Sequence, residues 1–418
     1  MNTILKCCST AAIVSLGLSL VQSSYAQSSV TLYGVVDAGI NYSSNTQTGL
    51  GASGKPVGHR QTYMADGLNG GKMGSRWGIR GSEDLGAGMR AVFTLENGFA
   101  VNSGAFAQGG AEFGRQAWVG LASDTAGTVT LGRQYEFTTE YVGVLSAVTS
   151  FGGEFSTHPG NVDGLLNVRR TNNAIKYESV DMRGLRFGAI VGLGGKAGSV
   201  SADSVFGGGI RYTGGAFKGA VSYMNARNPN ISVFGINPNA GGVTTNNVGS
   251  AGSATSAQTA PIISGFASAH TMEEIAAAGT YSFGAEQVGA VFTRTSFEQL
   301  GDTGGSGPNP LHLQGSAHVS NAEVNLLHHF SPFLTAGVAY DYEWVSDVGS
   351  LGASHYHQVS LGCDYALSKH TDVYALGAWE QAAGTNSLGK AAVAQIGYMS
   401  PSATNHQIAL TAGIAHRF

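Results

Sequence analysis

Apolar and polar residues alternate with a period of two along most of this chain. Between Val30 and Tyr42 one row carries Val30, Leu32, Val36, Ala38, Ile40 and Tyr42, while Thr31, Tyr33, Asp37 and Asn41 form the other. That spacing predicts a strand with two unlike faces. A second strand is predicted over Met89–Phe99, with Met89, Ala91, Phe93, Leu95 and Phe99 opposed to Arg90, Thr94 and Glu96. A charged pair on the polar face fits a hydrated interior better than a dry core, where each charge would need a partner. In 334–344 the apolar row ends in Tyr340, Tyr342 and Trp344, as an interfacial aromatic girdle requires. The final strand places Ile408, Leu410, Ala412, Ile414 and Phe418 on one side, whereas 371–382 leaves its parity open.

The punctuation between strands is uneven. Seven tight turns fall near 82–88, 123–127, 181–184, 213–218, 283–286, 330–333 and 367–372. Eight longer Gly/Ser/Asn-rich connections alternate with them, including roughly 43–73, 136–170, 227–269 and 383–403. Short turns on one rim and long loops on the other predict an all-β fold, a sixteen-stranded antiparallel transmembrane β-barrel. At that size side chains no longer fill the lumen. A connection as long as 136–170 without strand pattern is rarely idle, and it is expected to fold back into the barrel mouth and narrow it.

Composition and compartment support this reading. Gly is abundant at 63 residues, Pro scarce at 9, and 11% of residues are charged. A formal net charge of −4 leaves no electrostatic footprint for nucleic acid. Residues 1–26 read as a signal peptide: Lys6 supplies the basic region, Ala11 to Val21 the apolar one, and Ser24-Tyr25-Ala26 the cleavage site. The barrel domain is then 27–418. Cys7 and Cys8 leave with the leader, so Cys363 alone remains and no intramolecular disulfide can form. No later apolar run reaches the length of a transmembrane helix, and an exported chain of this kind crosses a membrane only as a closed barrel. Its expected place is the outer membrane of a Gram-negative bacterium, among lipid and lipopolysaccharide.

Several motifs sharpen the reading. Ser29-Val-Thr-Leu-Tyr-Gly34, Ser75-Arg-Trp-Gly-Ile-Arg-Gly-Ser-Glu-Asp-Leu-Gly86, Gly114-Arg-Gln116, Thr130-Leu-Gly-Arg-Gln134, Asn172-Asn-Ala-Ile-Lys-Tyr177 and His416-Arg-Phe418 occur in that order over nearly the whole chain. Together they resemble the general diffusion porins of β-proteobacteria. The resemblance implies a 16-stranded barrel, a homotrimer, an infolded third loop, and a terminal Phe418 read by the barrel-assembly machinery. It also implies passive passage of small polar solutes and ions, without bond chemistry and without a cofactor. The long connection 227–269 and the mixed charges of the presumed constriction depart from the pattern, and leave anion or cation preference open.

Candidate constriction residues follow from the loop and the strand parity. The loop offers Glu136, Glu140, Glu154 and Asp163 and closes with Arg169 and Arg170. The wall offers Arg76, Lys176 and Glu178, and Arg60 is placed to approach from the first loop. Opposed acids and bases would order water in a narrow aperture, favouring polar solutes over apolar ones. Arg115 and Arg133 carry outward parity with Val119 and Leu131. Arginine facing lipid at mid-bilayer costs roughly 2–4 kcal/mol, so a rim or trimer-interface position is expected, with an inward turn that anchors the third loop as the alternative.

Other chemistry fits the sequence less well. Ser156, His158 and Asp163 suggest a hydrolase triad, but no nucleophile elbow accompanies them. His355 with His357, or His328 with His329, would need a third ligand to hold a metal, and are expected to be rim histidines, so no metal site is assigned. The competing functional class is an outer-membrane barrel acting mainly as an adhesin or hydrolase; a plugged lumen would favour it.

Overall fold

The computed structural model of the protein describes residues 29–53, 55–66, 70–167, 169–234, 260–301, 306–397 and 399–418. The expected leader, 1–26, lies outside them. The described strands are β1 (Ser29–Leu50), β2 (Pro56–Asp66), β3 (Arg76–Gly86), β4 (Met89–Gly98), β5 (Gln116–Ser123) and β6 (Gly127–Gln134). After a long loop come β7 (Thr171–Glu178), β8 (Leu185–Gly192), β9 (Val205–Gly214), β10 (Phe217–Arg227), β11 (Thr271–Phe283) and β12 (Glu286–Leu300). The series ends with β13 (Gly315–His329), β14 (Leu334–Val345), β15 (Ser354–Ala366), β16 (Thr371–Gly384) and β17 (His406–Arg417).

All of them join one 17-stranded sheet that closes on itself. The seam pairs β1 with β17, from Val35 opposite Arg417 to Ser43 opposite Ala409. β2 pairs with the loop-side half of β1 and β3 with its turn-side half, so these two segments form one interrupted stave. The result is the expected sixteen-stranded antiparallel barrel. Closure leaves no sheet edge, which hydrocarbon requires because it offers no hydrogen-bond partner.

The seven tight turns stand where the alternation puts them. The connection at 43–73 does not. β1 continues to Leu50 and β2 starts at Pro56, so most of that stretch is a strand hairpin. Its polar Ser, Asn, Thr and Gln residues hid the strands because both faces are wet beyond the bilayer. Residues 70–75, between β2 and β3, instead leave the wall, with Gly71 O accepting from Glu154 N at 3.2 Å.

The faces are inverted relative to a soluble sheet. Val30, Leu32, Ile40, Leu410 and Ile414 point outward and are exposed, whereas Asp37, Asn41, Glu96, Asp341 and Glu343 are buried inside. Stacked Tyr342 and Trp344, 5.6 Å apart, belong to the outer aromatic girdle. The undecided parity of 371–382 is resolved with Asp372, Tyr374, Leu376, Ala378 and Glu380 inward. Tyr374 and Leu376 are apolar there because loop residues Phe155 and Ile396 pack on them. Inside-out alternation therefore fails where a loop supplies an internal core.

The two described ends of 227–269 pack inside the loop rim. Phe234, Ile263 and Phe266 bury against Phe297, Leu313, Val345 and Tyr356. Phe418 is half exposed on the outer face. It exchanges two backbone hydrogen bonds with Gly34, at 3.0 and 3.1 Å, and only a glycine leaves room for its ring there.

Leu410→Arg, on the lipid face, is expected to destabilise the folded barrel by about 2–4 kcal/mol if it lies at mid-bilayer depth. Thr128→Arg, on the wet inner face, is expected to show no comparable loss. Denaturant titration of both variants in lipid vesicles checks the assignment of faces.

Candidate functional site

The loop from Tyr135 to Arg170 turns into the lumen and crosses it in a series of short helical turns between Thr138 and Asn161. Its contacts trace the path. Thr138 Oγ1 lies 2.9 Å from Ser222 Oγ on β10. Ala147 N donates to Glu323 Oε1 on β13 at 2.9 Å. Ser156 Oγ donates to Ser360 Oγ on β15 at 2.6 Å. These strands lie far round the barrel from β6 and β7, which carry the loop.

Small inward residues make the seat. A Cβ at Gly188 would stand 2.2 Å from the Phe137 ring, and one at Gly337 2.3 Å from the Phe151 ring. Phe137, Tyr141 and Leu145 bury against Ala220, Ala276 and Val291, while Phe151 packs on Ala339 and Leu327. The abundant glycine thus has a local use: the loop's aromatic rings reach the backbone of the wall.

Charged anchors reinforce that seat. Arg169 Nη2 donates to Glu274 Oε2 at 2.7 Å, and Arg169 Nε lies 3.7 Å from Glu136 Oε1. Burial raises the Glu136 carboxyl above its usual range, and Arg169 and Lys176 only partly oppose it. His158 is buried among Asp163 (2.6 Å), Glu323 (3.1 Å) and Asp341 (3.1 Å). Burial alone would lower its pKa, but Asp163 and Asp341 outweigh it and hold the imidazole well above its ordinary value. Tyr135 gathers the cations at the root of the loop. Its hydroxyl accepts from Arg115 Nη2 at 2.8 Å and Arg170 Nη2 at 2.5 Å, and its carbonyl accepts from Lys176 Nζ at 3.0 Å. Lys176 also pairs with Glu140. Burial lowers Arg170 to about 9, with Tyr135 opposing and Arg115 and Arg133 adding to the effect, so it stays charged at neutral pH.

The expected constriction residues therefore divide. Glu136, Glu154 and Asp163 are buried and turned toward neighbouring wall and loop groups, not toward an aperture. Glu154 accepts from Gly70 N, which ties the loop to the excursion between β2 and β3. Arg170 and Lys176 are buried anchors as well. Arg76 does face the lumen: its side chain is partly exposed, donates to Gly74 O at 3.0 Å and lies 3.9 Å from Glu96 Oε2. Arg60 does not reach the mouth. It is exposed on β2 in register with Met64, whose face lines an outer groove with Ile40 and Ile414.

Arg115 and Arg133 are buried in the single chain. Arg115 Nε donates to Glu96 Oε1 at 2.7 Å. Arg133 Nε donates to Gly114 O at 2.8 Å, and Nη1 to Asn172. Arg115 reaches Tyr135 at the root of the third loop, whereas Arg133 bonds the segment before β5 and Asn172 on β7. Arg115 precedes β5, where strand parity does not apply; Arg133 pairs with Ala117 on β5 in unbroken register and stands opposite a bulge in β7.

An open space remains between the loop's free face and the wall from β3 to β8. Gln116, Trp118, Thr128, Glu140, Lys176 and Arg186 line part of it. Inward cations near it include the partly exposed Lys72, Arg76, Arg186, Arg211 and Arg417 and the exposed Arg80. Acids beside them are paired: Glu140 with Lys176, Glu178 with Arg186 and Arg211, Asp364 with Lys72, and the buried Asp372 with Arg417. Arg80 stacks over the Tyr33 ring at 5.3 Å and has no acidic partner among the described residues.

Tyr135, Lys72 and the wall acids Glu274, Glu323 and Asp341 were not singled out by sequence. Strand parity gives the inward direction of the acids, but nothing local says that a loop reaches them. Ser156 bonds Ser360, and both His158 nitrogens face carboxylates, so no Ser–His pair forms. His357 Nδ1 lies 2.7 Å from the Tyr340 hydroxyl on the outer face, at the aromatic girdle.

Comparison with known proteins agrees with this architecture. Residues 9–385 match the Gram-negative porin family, and the chain belongs to it. An outer membrane porin protein of Bordetella pertussis is 36% identical over 220 residues, which is 49% of this chain and 56% of that protein's length. Outer membrane porin protein 32 of Delftia acidovorans is 28% identical over 366 residues, 84% of this chain and 83% of its own. Among solved structures, the anion-selective porin from Comamonas acidovorans superposes with a TM-score of 0.65 at 21% identity, over 94% of this chain and 100% of the other. OmpT of Vibrio cholerae gives 0.59 at 13% identity, over 94% and 98%. Family and fold together place the protein in the outer membrane.

Two substitutions test the seat. Arg169→Ala leaves the buried Glu274 without its cation and is expected to cost about 3–5 kcal/mol, read by urea titration in vesicles. Gly337→Val collides with Phe151, and single-channel recordings are expected to show a larger or noisier conductance than wild type.

Proposed function

We propose that the protein is a water-filled channel for passive diffusion of small hydrophilic solutes and ions, with a preference for anions. The observation that carries the preference is the distribution of lumenal charge. Three loop acids, Glu136, Glu154 and Asp163, are buried and the fourth, Glu140, is paired with Lys176, whereas Arg76 and Arg80 on β3 stand with the ion-paired Lys72 and Arg417 as an accessible basic arc. In a narrow, low-dielectric passage such an arc raises the local concentration of anions. A formal net charge of −4 for the whole chain does not oppose this, because the groups at the passage decide selectivity. The structural relative from Comamonas acidovorans is itself described as anion-selective.

The working form in this reading is a homotrimer. Ala38, Gly39, Ala412 and Gly413 leave a shallow apolar groove on the outer face of the seam, where two barrels can approach closely. Residues 1–26 direct export, Phe418 is presented to the barrel-assembly machinery, and lipid and lipopolysaccharide surround the apolar belt.

Planar-bilayer recording in a salt gradient tests the reading. Conductance steps in threes and an anion-selective reversal potential are expected, and Arg76→Glu with Arg80→Glu should move that potential toward cations. A cation-selective wild type would overturn the preference, and folded protein without conductance would overturn the channel.

A further inference from the structure

We propose that His158, Glu323 and Asp341 form a binding site for a divalent first-row transition-metal ion that fastens the infolded loop to the barrel wall. Glu323 on β13 and Asp341 on β14 are direct cross-strand partners on the buried inner face. Like charges in that position repel, the more so out of water. Among the described residues, the imidazole of His158 is the one cationic group within 4 Å of them, with Nε2 3.1 Å from each carboxylate.

Each carboxylate is held at one oxygen and presents the other. Glu323 Oε1 accepts from Ala147 N at 2.9 Å and Asn325 Nδ2 at 2.5 Å, which leaves Oε2 toward His158. Asp341 Oδ2 accepts from Gln358 Nε2 at 3.5 Å, while Oδ1, which faces Nε2, accepts no hydrogen bond. One pair along the same ladder stand Asn321 and Glu343, both 1% exposed. Glu343 Oε1 and both polar atoms of Asn321 also lack hydrogen-bond partners among the described residues. The pocket holds more acceptors than its one imidazole can satisfy, and that imbalance asks for a further positive charge.

Asp163 completes the arrangement. Its Oδ2 accepts from His158 Nδ1 at 2.6 Å and from Thr293 Oγ1 at 2.8 Å. A carboxylate behind Nδ1 fixes the tautomer that leaves Nε2 as a metal ligand. The three candidate ligand atoms lie within 4.8 Å of one another. A tetrahedral site with metal–ligand bonds of ~2.1 Å needs ligands about 3.4 Å apart, so an ion replacing the Nε2 proton changes the two 3.1 Å separations from His158 by only a few tenths of an ångström. One imidazole nitrogen with two carboxylate oxygens suits Zn²⁺, Mn²⁺ or Co²⁺, whereas Ca²⁺ and Mg²⁺ favour all-oxygen shells.

The test refolds the protein from urea into detergent after EDTA treatment, with ZnCl₂ or MnCl₂, and measures metal retained after gel filtration. Stoichiometric metal is expected in wild type and in Glu380→Gln, a buried acid of the neighbouring wall outside the ligand set. Asp341→Asn should lose it, and Asp163→Asn should weaken binding about 10–100-fold. Retention by both Asp341→Asn and His158→Asn, or no stoichiometric metal in wild type, would overturn the site. Should these variants not fold, X-ray absorption of metal-loaded wild type decides: imidazole scattering supports the site and an all-oxygen shell overturns it. Channel conductance is recorded separately, so an empty site in a conducting protein counts against the metal and leaves the channel intact.

Discussion

Hydrocarbon offers the peptide backbone no hydrogen-bond partner, and this constraint shapes every level of the molecule. It forces the sheet to close, so β1 must meet β17 along its length. It also turns the apolar faces outward and leaves a wet interior. A barrel of this size cannot fill that interior with wall side chains alone. The protein fills part of it with its own chain, and the loop from Tyr135 to Arg170 serves as the core that the walls cannot provide.

Seating a polar loop on a polar wall brings a second problem, because charges leave water on both sides. Two devices resolve it. Aromatic rings at Phe137 and Phe151 enter gaps left by Gly188 and Gly337, so contact area is gained without displacing charged groups. Around them several buried ions find a counter-ion across the seat, as with Arg169 and Glu274 or Lys176 and Glu140. Buried pairs of this kind contribute more to a single geometry than to net stability. Arg76 and Arg80 face the remaining space.

The barrel was legible in the sequence because a period of two survives wherever one face meets lipid and the other meets water. Strand number, the seven tight turns and the position of the third loop follow from that pattern. The pattern weakens where its physical cause is missing. Beyond the bilayer both faces of the hairpin at 43–66 are wet, and beneath the loop both faces of β16 are apolar. Opposite Arg133 a bulge in β7 interrupts the ladder between Gly132 and Gln134. The site was less legible for a related reason. Residue type marked Glu136, Glu154 and Asp163 as loop acids, but direction depends on partners such as Glu274, Gly70 and Thr293, which are distant in sequence.

Those distances bear on the order of assembly. Ser156 and Ser360 are separated by 204 residues, and His158 and Glu323 by 165. The loop emerges with β6 and β7, yet half of its seat belongs to strands made much later. Until β13 to β16 stand in the wall, its buried charges have no partners and its rings no gaps to enter. The loop must therefore wait in water through most of synthesis and export. Its docking is a late step that only a nearly closed barrel can support, so the wall of the passage stands before the loop narrows it.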